Sequence, residues 1–308
     1  MTELTIIMYH YVRPIIGSEF PGIKGLEIEG FKRQLDFLES NYSIVSSEQV
    51  IDKIINNKAL PSKACWLTFD DGYKDHYQYV LPELVKRNLS GAFFPPRVAI
   101  QENEMLDVNS IHHILSSSND INKLVDDLKN LCLKLGISGD KIHEYYKKYG
   151  VANRFDKAET KFFKRMLQYV LPEQMRKEIL SILFKKVVGI SEAELSSKLY
   201  MSVDEVQKLV SSGMYVGSHG SMHYRLDSID FQKQKDDILS SLEFLEEVGA
   251  PTSNWIMCYP YGAYNYATLS LLREQGASIG VTIEVRKANL GIDHPFKLPR
   301  LDTNDFPQ

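Results

Sequence analysis

The chain of 308 residues has only three cysteines, Cys65, Cys132 and Cys258. They are too few and too scattered for a disulfide framework or a thiolate zinc site, and they read as buried thiols in a reducing compartment. No run is long and apolar enough to cross a bilayer, so no stable membrane insertion is expected. Neither sign of charge dominates. With 36 Lys and Arg against 40 Asp and Glu, the net charge is -4, and nothing marks the chain for electrostatic capture of nucleic acid. The stretch from Met1 to His10 has an early acid, no basic n-region and an apolar run broken by polar residues. It does not read as a signal peptide, and the expected location is cytoplasmic. Internal repeats and low-complexity tracts are also missing. The remainder is ordinary for a globular protein, 44% hydrophobic and 25% charged, with length for one large α/β domain or a domain carrying a sizeable insertion.

Strand and helix signals alternate at both ends of the chain. Leu4–Tyr9 is β-rich and ends at His10, a Gly- and Pro-containing loop spans Arg13–Gly25, and Phe31, Leu35 and Leu38 recur at helical spacing. A short strand at Ile44-Val45, a helix over Val50–Ile55 and a strand over Cys65–Phe69 follow, then a helix through Tyr79, Val80 and Leu84 in which Pro82 is tolerable only as a kink or break. Gly91–Phe94 is the next strand. Such alternation argues for a mostly parallel sheet or barrel. From Glu102 to Tyr200 the pattern is helical instead, with amphipathic stretches at Ile121–Leu135, Lys161–Val170 and Met175–Val188. Alternation resumes at the capping box Ser202-Val-Asp-Glu205, through strands expected at Met214–Val216, Trp255–Tyr259, Ala277–Ile283 and Phe296–Leu301 and helices over Phe231–Val248 and Ala267–Gln275. The expected organisation is a discontinuous domain, 1–101 and 200–308, interrupted by a helical insertion at 102–199.

Chemistry collects at strand ends. Cys65-Trp-Leu-Thr-Phe-Asp-Asp-Gly-Tyr73 is an apolar strand closed by two adjacent acids. Neighbouring residues on a strand point opposite ways, so Asp70 and Asp71 share one site only if the chain bends there, which Gly72 permits. Alone, Asp-Asp-Gly is also an ordinary strand-ending turn. His219 and His223, four residues apart, share a face in a helix or tight turn. Two neutral imidazoles and one carboxylate suit a catalytic Zn²⁺ with a position left open for water, although an isolated pair of this spacing is also commonly structural.

Together, Thr68-Phe-Asp-Asp-Gly72, Ser218-His-Gly-Ser-Met-His-Tyr-Arg-Leu226 and Tyr259-Pro-Tyr-Gly262 resemble the polysaccharide deacetylase family, the carbohydrate esterases with the NodB homology fold. Met8-Tyr-His-Tyr-Val12 is similar to the start of the branch carrying an N-terminal Tyr-His element. The resemblance covers residues 1 to about 101 and about 200 to 308, leaving the middle helices outside. It implies an α/β fold, a distorted (β/α) barrel with a large helical insertion. It also implies Asp70 as general base, a divalent metal, with Zn²⁺ expected, on Asp71, His219 and His223, and an oxyanion contact from the turn Pro260-Tyr261-Gly262.

Two departures shape the remaining expectations. The family's third motif commonly has an arginine two residues before the proline, orienting the base; this chain has Cys258 there, and Arg300 in Leu298-Pro-Arg-Leu-Asp302 is the candidate substitute. The family's final motif supplies a histidine to protonate the leaving amine, and here the candidates are His10 and His294. Tyr73, Tyr261, Tyr264 and Tyr266 are candidate walls for a sugar ring, while Trp255 reads as core. Asp107 with His112-His113 reads as a solvated helix start rather than a second metal site. The expected activity is metal-dependent hydrolysis of an N-acetyl, less readily an O-acetyl, group on a sugar, with a cytoplasmic intermediate of surface-polysaccharide synthesis as substrate. The rivals are a non-catalytic carbohydrate-binding protein on the same fold and an amidohydrolase acting on a small non-sugar amide. The helical insertion could cover the site or build a homo-oligomer.

Overall fold

The computed structural model describes residues 3–152 and 156–307, which divide into two compact units. The first comprises Met1–Pro14, Lys24–Asn103 and Lys198–Gln308, and the second comprises Ile15–Ile23 and Glu104–Ser197.

The strands of the first unit are β1 (Glu3–Tyr9), β2 (Ser43–Ile44), β3 (Ala64–Asp70), β4 (Ala92–Phe94), β5 (Tyr215–Val216), β6 (Trp255–Cys258), β7 (Ala277–Val281), β8 (Ala288–Asn289) and β9 (Leu301–Asp302). β1 and β3 pair in parallel along their length, from Leu4 opposite Ala64 to Tyr9 opposite Phe69. β4 continues from β3 and β5 from β4, both parallel. A parallel bridge from Ser218 to Met257 leads to the β6–β7 pair, a second from Val281 to Leu298 leads onward, and β9 pairs with β1. The chain thereby closes an irregular ring of parallel strands, a distorted (β/α) barrel. β8, which the sequence pattern did not suggest, runs antiparallel against the start of β1.

Side-chain alternation sorts this ring into an inside and an outside. Leu4, Ile6, Ala64, Trp66, Phe94, Ile256, Cys258 and Val281 share one buried cluster and fill the barrel. On the opposite face of the first strands Tyr9, Phe69 and Phe93 stack in register, with ring centroids 4.9 and 4.7 Å apart, and Phe31 of helix Ile28–Asn41 meets Tyr9 edge-on at 5.4 Å. Buried on both faces, β3 is nearly uninterrupted in apolar residues until its end.

Two local expectations need revision. Phe296–Leu301 is not a strand: Pro295–Lys297 forms a 3₁₀ turn, and only Leu301–Asp302 pairs with β1. Pro295 and Pro299 bring no N–H, so a continuous ladder cannot form there. The helix expected after Gly72 changes type before Pro82. His76–Val80 is a π-turn in which the Leu81 N–H donates to the His76 carbonyl. The α-helix Leu81–Arg87 then takes Pro82 in its first turn, where a missing N–H costs nothing.

The second unit is helical throughout its regular structure, with helices Asp107–Ser116, Ile121–Lys134, Gly139–Tyr149, Ala158–Arg165, Glu173–Val187 and Glu192–Leu199. Its interior takes the apolar stripes: Leu124, Leu128 and Cys132 from one helix, Phe162 and Phe163 from another, Ile179, Leu183 and Phe184 from a third. The loop Ile15–Ile23 belongs with these helices. A Cβ at Gly22 would lie 2.7 Å from the Ser116 carbonyl oxygen, a close approach that only glycine allows.

At the C-terminal end of β3 the backbone turns through two left-handed residues, Asp71 at φ 71° and Gly72 at φ 68°. A Cβ at Gly72 would also lie 2.8 Å from that of Pro95. Gly72→Ala is therefore expected to lower the unfolding free energy by about 1–3 kcal/mol, read as a shift of the urea midpoint at unchanged slope.

Candidate active site

Ala64 and Trp66 face the barrel interior, so strand alternation turns Thr68 and Asp70 inward as well. Asp70 is 2% exposed and meets Arg300, which is 0% exposed. The guanidinium forms a fork on the carboxylate, Nη1 to Oδ1 at 2.8 Å and Nη2 to Oδ2 at 2.7 Å. Its remaining donors are used too: Nε donates to the Thr282 carbonyl at 2.8 Å, Nη1 to Thr68 Oγ1 at 3.1 Å and Nη2 to Cys258 Sγ at 3.3 Å. A buried ion pair is stable only when its spare hydrogen-bonding groups are satisfied, and this one meets that condition. Burial alone would favour the neutral acid, but the Arg300 charge and hydrogen bonds outweigh it and hold the Asp70 carboxyl at about 2.

Alternation would send Asp71 to the other face; the left-handed turn brings it back. His219 Nε2 and His223 Nε2 each lie 3.3 Å from Asp71 Oδ1, and the Tyr73 phenol donates to Asp71 Oδ2 at 2.6 Å. His219 and His223 come from a bend after β5 rather than a helix, with Gly220 at φ 71° and His223 at φ 55°. Several bonds fix that bend. Asp237 Oδ1 accepts from the Met222 N–H at 2.8 Å, Arg97 Nε donates to Ser221 Oγ at 2.7 Å, and the Val98 N–H donates to the Ser221 carbonyl at 2.9 Å. Burial raises the Asp237 carboxyl to about 6, against the opposing pull of the Met222 and Ser221 N–H groups.

The donor set fits a divalent cation. One ligand atom each from Asp71, His219 and His223 lie within 4.8 Å of one another, all on buried residues. His219 Nδ1 is 2.6 Å from the Cys258 carbonyl oxygen; that oxygen can only accept, so Nδ1 carries the proton and Nε2 keeps its lone pair for the site. A second grouping, Asp70, His219 and Cys258, is equally compact. It does not fit, because both Asp70 oxygens and the Cys258 sulfur are bonded to Arg300 and burial raises the thiol's pKa and keeps it protonated. Burial disfavours the Asp71 anion, but the close contacts with His219 and His223 outweigh it and hold the carboxyl well below its usual range.

The remaining expected site residues fall in different places. His10, at the end of β1 and 39% exposed, brings Nε2 to 3.9 Å from Asp70 Oδ2. Pro260 and Tyr261 form a tight turn with Tyr261 at φ 59°, and the Tyr261 ring lies 4.9 Å from that of His223. Pro260 has no N–H to offer an oxyanion, and those of Gly262 and Ala263 bond within the turn at 2.8 and 3.1 Å. Tyr73 is not a sugar wall. It is fully buried, its ring packed among other rings and its phenol committed to Asp71. Trp255 and Tyr259 are core, Tyr266 is exposed, and His294 caps the Pro295–Lys297 turn by accepting from the Phe296 N–H at 3.1 Å. In the helical unit Asp107 accepts from Arg176 and His113 donates to the Asn109 carbonyl. Among the described residues, the two groupings above are the ones compact enough to hold a metal ion. Sequence reasoning missed His76, whose Nε2 donates to the His10 carbonyl at 2.8 Å, and the Arg13–Asp75 ion pair at 2.6 Å. The only available signal was a concentration of polar residues just after Gly72.

A strand ring that delivers a buried acid pair and two histidines to one rim defines an α/β-barrel hydrolase with a metal-competent centre. The polysaccharide deacetylase family model matches residues 57–129 and 147–280, more than half of the chain. The chain belongs to that family. Three solved structures share its fold. The Streptococcus pyogenes deacetylase PplD in complex with acetate is 17% identical, with a TM-score of 0.60 over 98% of this chain and 92% of that one. A de-N-acetylase from Aggregatibacter actinomycetemcomitans is 16% identical, with a TM-score of 0.59 over 98% and 96%. IcaB from Ammonifex degensii is 19% identical, with a TM-score of 0.55 over 97% and 91%. No curated protein sequence matches the chain significantly. Both the family match and the structural coverage run through the central helices, which the motif resemblance had left outside.

Replacing Arg300 isolates its contribution. Arg300→Met leaves a carboxylate buried without its partner and is expected to cost about 3–5 kcal/mol near neutral pH. The pH dependence should change sign. In the wild type the depressed Asp70 pKa stabilises the fold above the unfolded value of 3.8, an advantage lost as pH falls through about 2. In the variant, burial acts unopposed by the guanidinium, and stability contributed by Asp70 should fall as pH rises above about 4. Urea unfolding across that range measures both effects.

Proposed function

We propose that the protein is a metal-dependent deacetylase that hydrolyses an N-acetyl group, and less readily an O-acetyl group, of a sugar. The observation that carries this reading is the division of two adjacent carboxylates, Asp70 held by Arg300 and Asp71 facing two histidines. Asp71, His219 and His223 would hold the cation, with Zn²⁺ as the expected ion from the carboxylate and imidazole donors. When bound, such a cation supplies Lewis acidity that polarises an acyl oxygen and acidifies water.

The chain's own groups account for the proton traffic. Asp70, ionised across the physiological range, accepts a proton from the attacking water at a carboxylate oxygen while Arg300 fixes its orientation. The water oxygen bonds to the acyl carbon, and the Tyr261 N–H meets the oxyanion that develops. His10, half-exposed and beside Asp70, gives a proton to the amine as the C–N bond breaks, so acetate and a free amino sugar leave. The Tyr261 ring, next to His223, offers an apolar face to the pyranose. The acetate in the S. pyogenes deacetylase supports an acetylated substrate, and the de-N-acetylase from A. actinomycetemcomitans supports attachment of the acetyl group through nitrogen. A cytoplasmic, carrier-linked amino sugar on the way to a surface polysaccharide is the proposed substrate. The three free, buried cysteines are compatible with that compartment.

The test is acetate release by zinc-loaded protein from N-acetylglucosamine oligomers and nucleotide-linked N-acetyl sugars. Release that stops on chelation, returns with zinc and is absent from His219→Ala, together with that variant's loss of stoichiometric zinc, is the expected result. Zinc-loaded, folded wild type that binds these sugars yet releases no acetate would favour the non-catalytic reading.

A further inference from the structure

Tyr73 lies two residues beyond Asp71, across Gly72, yet it faces away from solvent. Two rings lie nearly parallel to its own: Tyr11 stacks at 4.2 Å and 20°, and Tyr200 lies at 6.3 Å and 11°. The backbone is pinned on the Tyr200 side by a bridge between Tyr73 and Tyr200, with the Met201 N–H donating to the Gly72 carbonyl at 3.0 Å. On the Tyr11 side the Arg13 guanidinium lies over both rings, 4.8 Å from the Tyr11 centroid and 5.9 Å from that of Tyr73. Arg13 is itself held by Asp75 at 2.6 Å. The ring therefore has little freedom, and its hydroxyl is delivered to one atom.

That atom is Asp71 Oδ2, at 2.6 Å, a short distance typical of a hydroxyl donating to a carboxylate. The other oxygen, Oδ1, is the one that both histidine Nε2 atoms approach. A carboxylate with neither oxygen occupied could swing or offer both oxygens to a cation. With Oδ2 engaged, it presents one.

We infer that Tyr73 is a positioning residue that reserves Asp71 Oδ1 for a cation, and that the Tyr11–Tyr73–Tyr200 stack with Arg13 and Asp75 is the brace that holds it. This inference rests on the proposed metal site. It assigns to the aromatic residue after the acid pair a role in metal affinity and ligand geometry rather than in sugar binding. The stack also gives the Tyr-His-Tyr segment at the end of β1 and just beyond it a structural partner: His10 approaches Asp70 while Tyr11 braces the residue that holds Asp71.

Zinc affinity measured by chelator competition tests the inference in wild type, Tyr73→Phe and Thr268→Val. The last loses a buried hydroxyl bond to Gln234 at 2.7 Å elsewhere in the same unit and controls for stability alone. Tyr73→Phe should weaken zinc binding by about 10–100-fold, while Thr268→Val leaves it unchanged. Cobalt-loaded Tyr73→Phe should also differ from cobalt-loaded wild type in its visible absorption, because the freed oxygen changes the ligand set. If Tyr73→Phe fails to fold, Tyr11→Leu carries the test and should weaken zinc binding in the same direction. Wild-type zinc affinity and an unaltered cobalt spectrum in folded Tyr73→Phe would overturn the inference. A wild type that binds no zinc would instead overturn the metal reading beneath it.

Discussion

The left-handed turn at Asp71 and Gly72 is the constraint on which the site depends. A strand of regular geometry would put one acid inside the barrel and its neighbour outside, where they could not share a substrate. Two residues of positive φ at the end of β3 remove that separation without removing the difference in surroundings. Asp70 stays in line with the strand and meets a guanidinium, while Asp71 leaves the strand and meets two imidazoles and a phenol. Two carboxyl groups adjacent in sequence thus acquire separate partners and separate chemical work.

Arg300 couples this arrangement to closure of the barrel. Its segment reaches the interior because Leu298 bridges to β7 and Leu301–Asp302 pairs with β1, the immediate neighbour of β3. The position where the family's orienting arginine is expected carries Cys258, a small side chain whose sulfur accepts from Arg300. Here the guanidinium beside the acid comes from Arg300, from a different segment of the ring than position 258. The two prolines that interrupt the final strand are consistent with this, since a segment without a full ladder can direct the Arg300 side chain inward while its backbone N–H bonds to the Glu284 carbonyl.

Much of this was legible from the sequence because strand ends announce themselves. An apolar run closed by Asp-Asp-Gly, an H-x3-H pair after a short strand, and a Pro-Tyr-Gly turn needed no coordinates to be placed on one rim. Arg300 could be singled out as the substitute for the arginine that the family resemblance expects at Cys258. What could not be read was direction and partnership. The inward orientation of Tyr73 follows from backbone dihedrals that strand periodicity does not encode, and its brace joins residues more than 60 positions apart. The Phe296–Leu301 segment has strand-like side chains, but its prolines withhold the donors that pairing requires. Loop Ile15–Ile23 joins the helical unit through a backbone contact at Gly22 that leaves no composition signal.

The account stands most directly on the separation of the two acids, and one paired measurement addresses it: zinc content and acetate release compared in Asp70→Asn and Asp71→Asn. Asp70→Asn should retain stoichiometric zinc with acetate release reduced by at least about 100-fold, and Asp71→Asn should lose both zinc and activity. Equal zinc loss in the two variants, or zinc retained in Asp71→Asn, would contradict the division of labour between them.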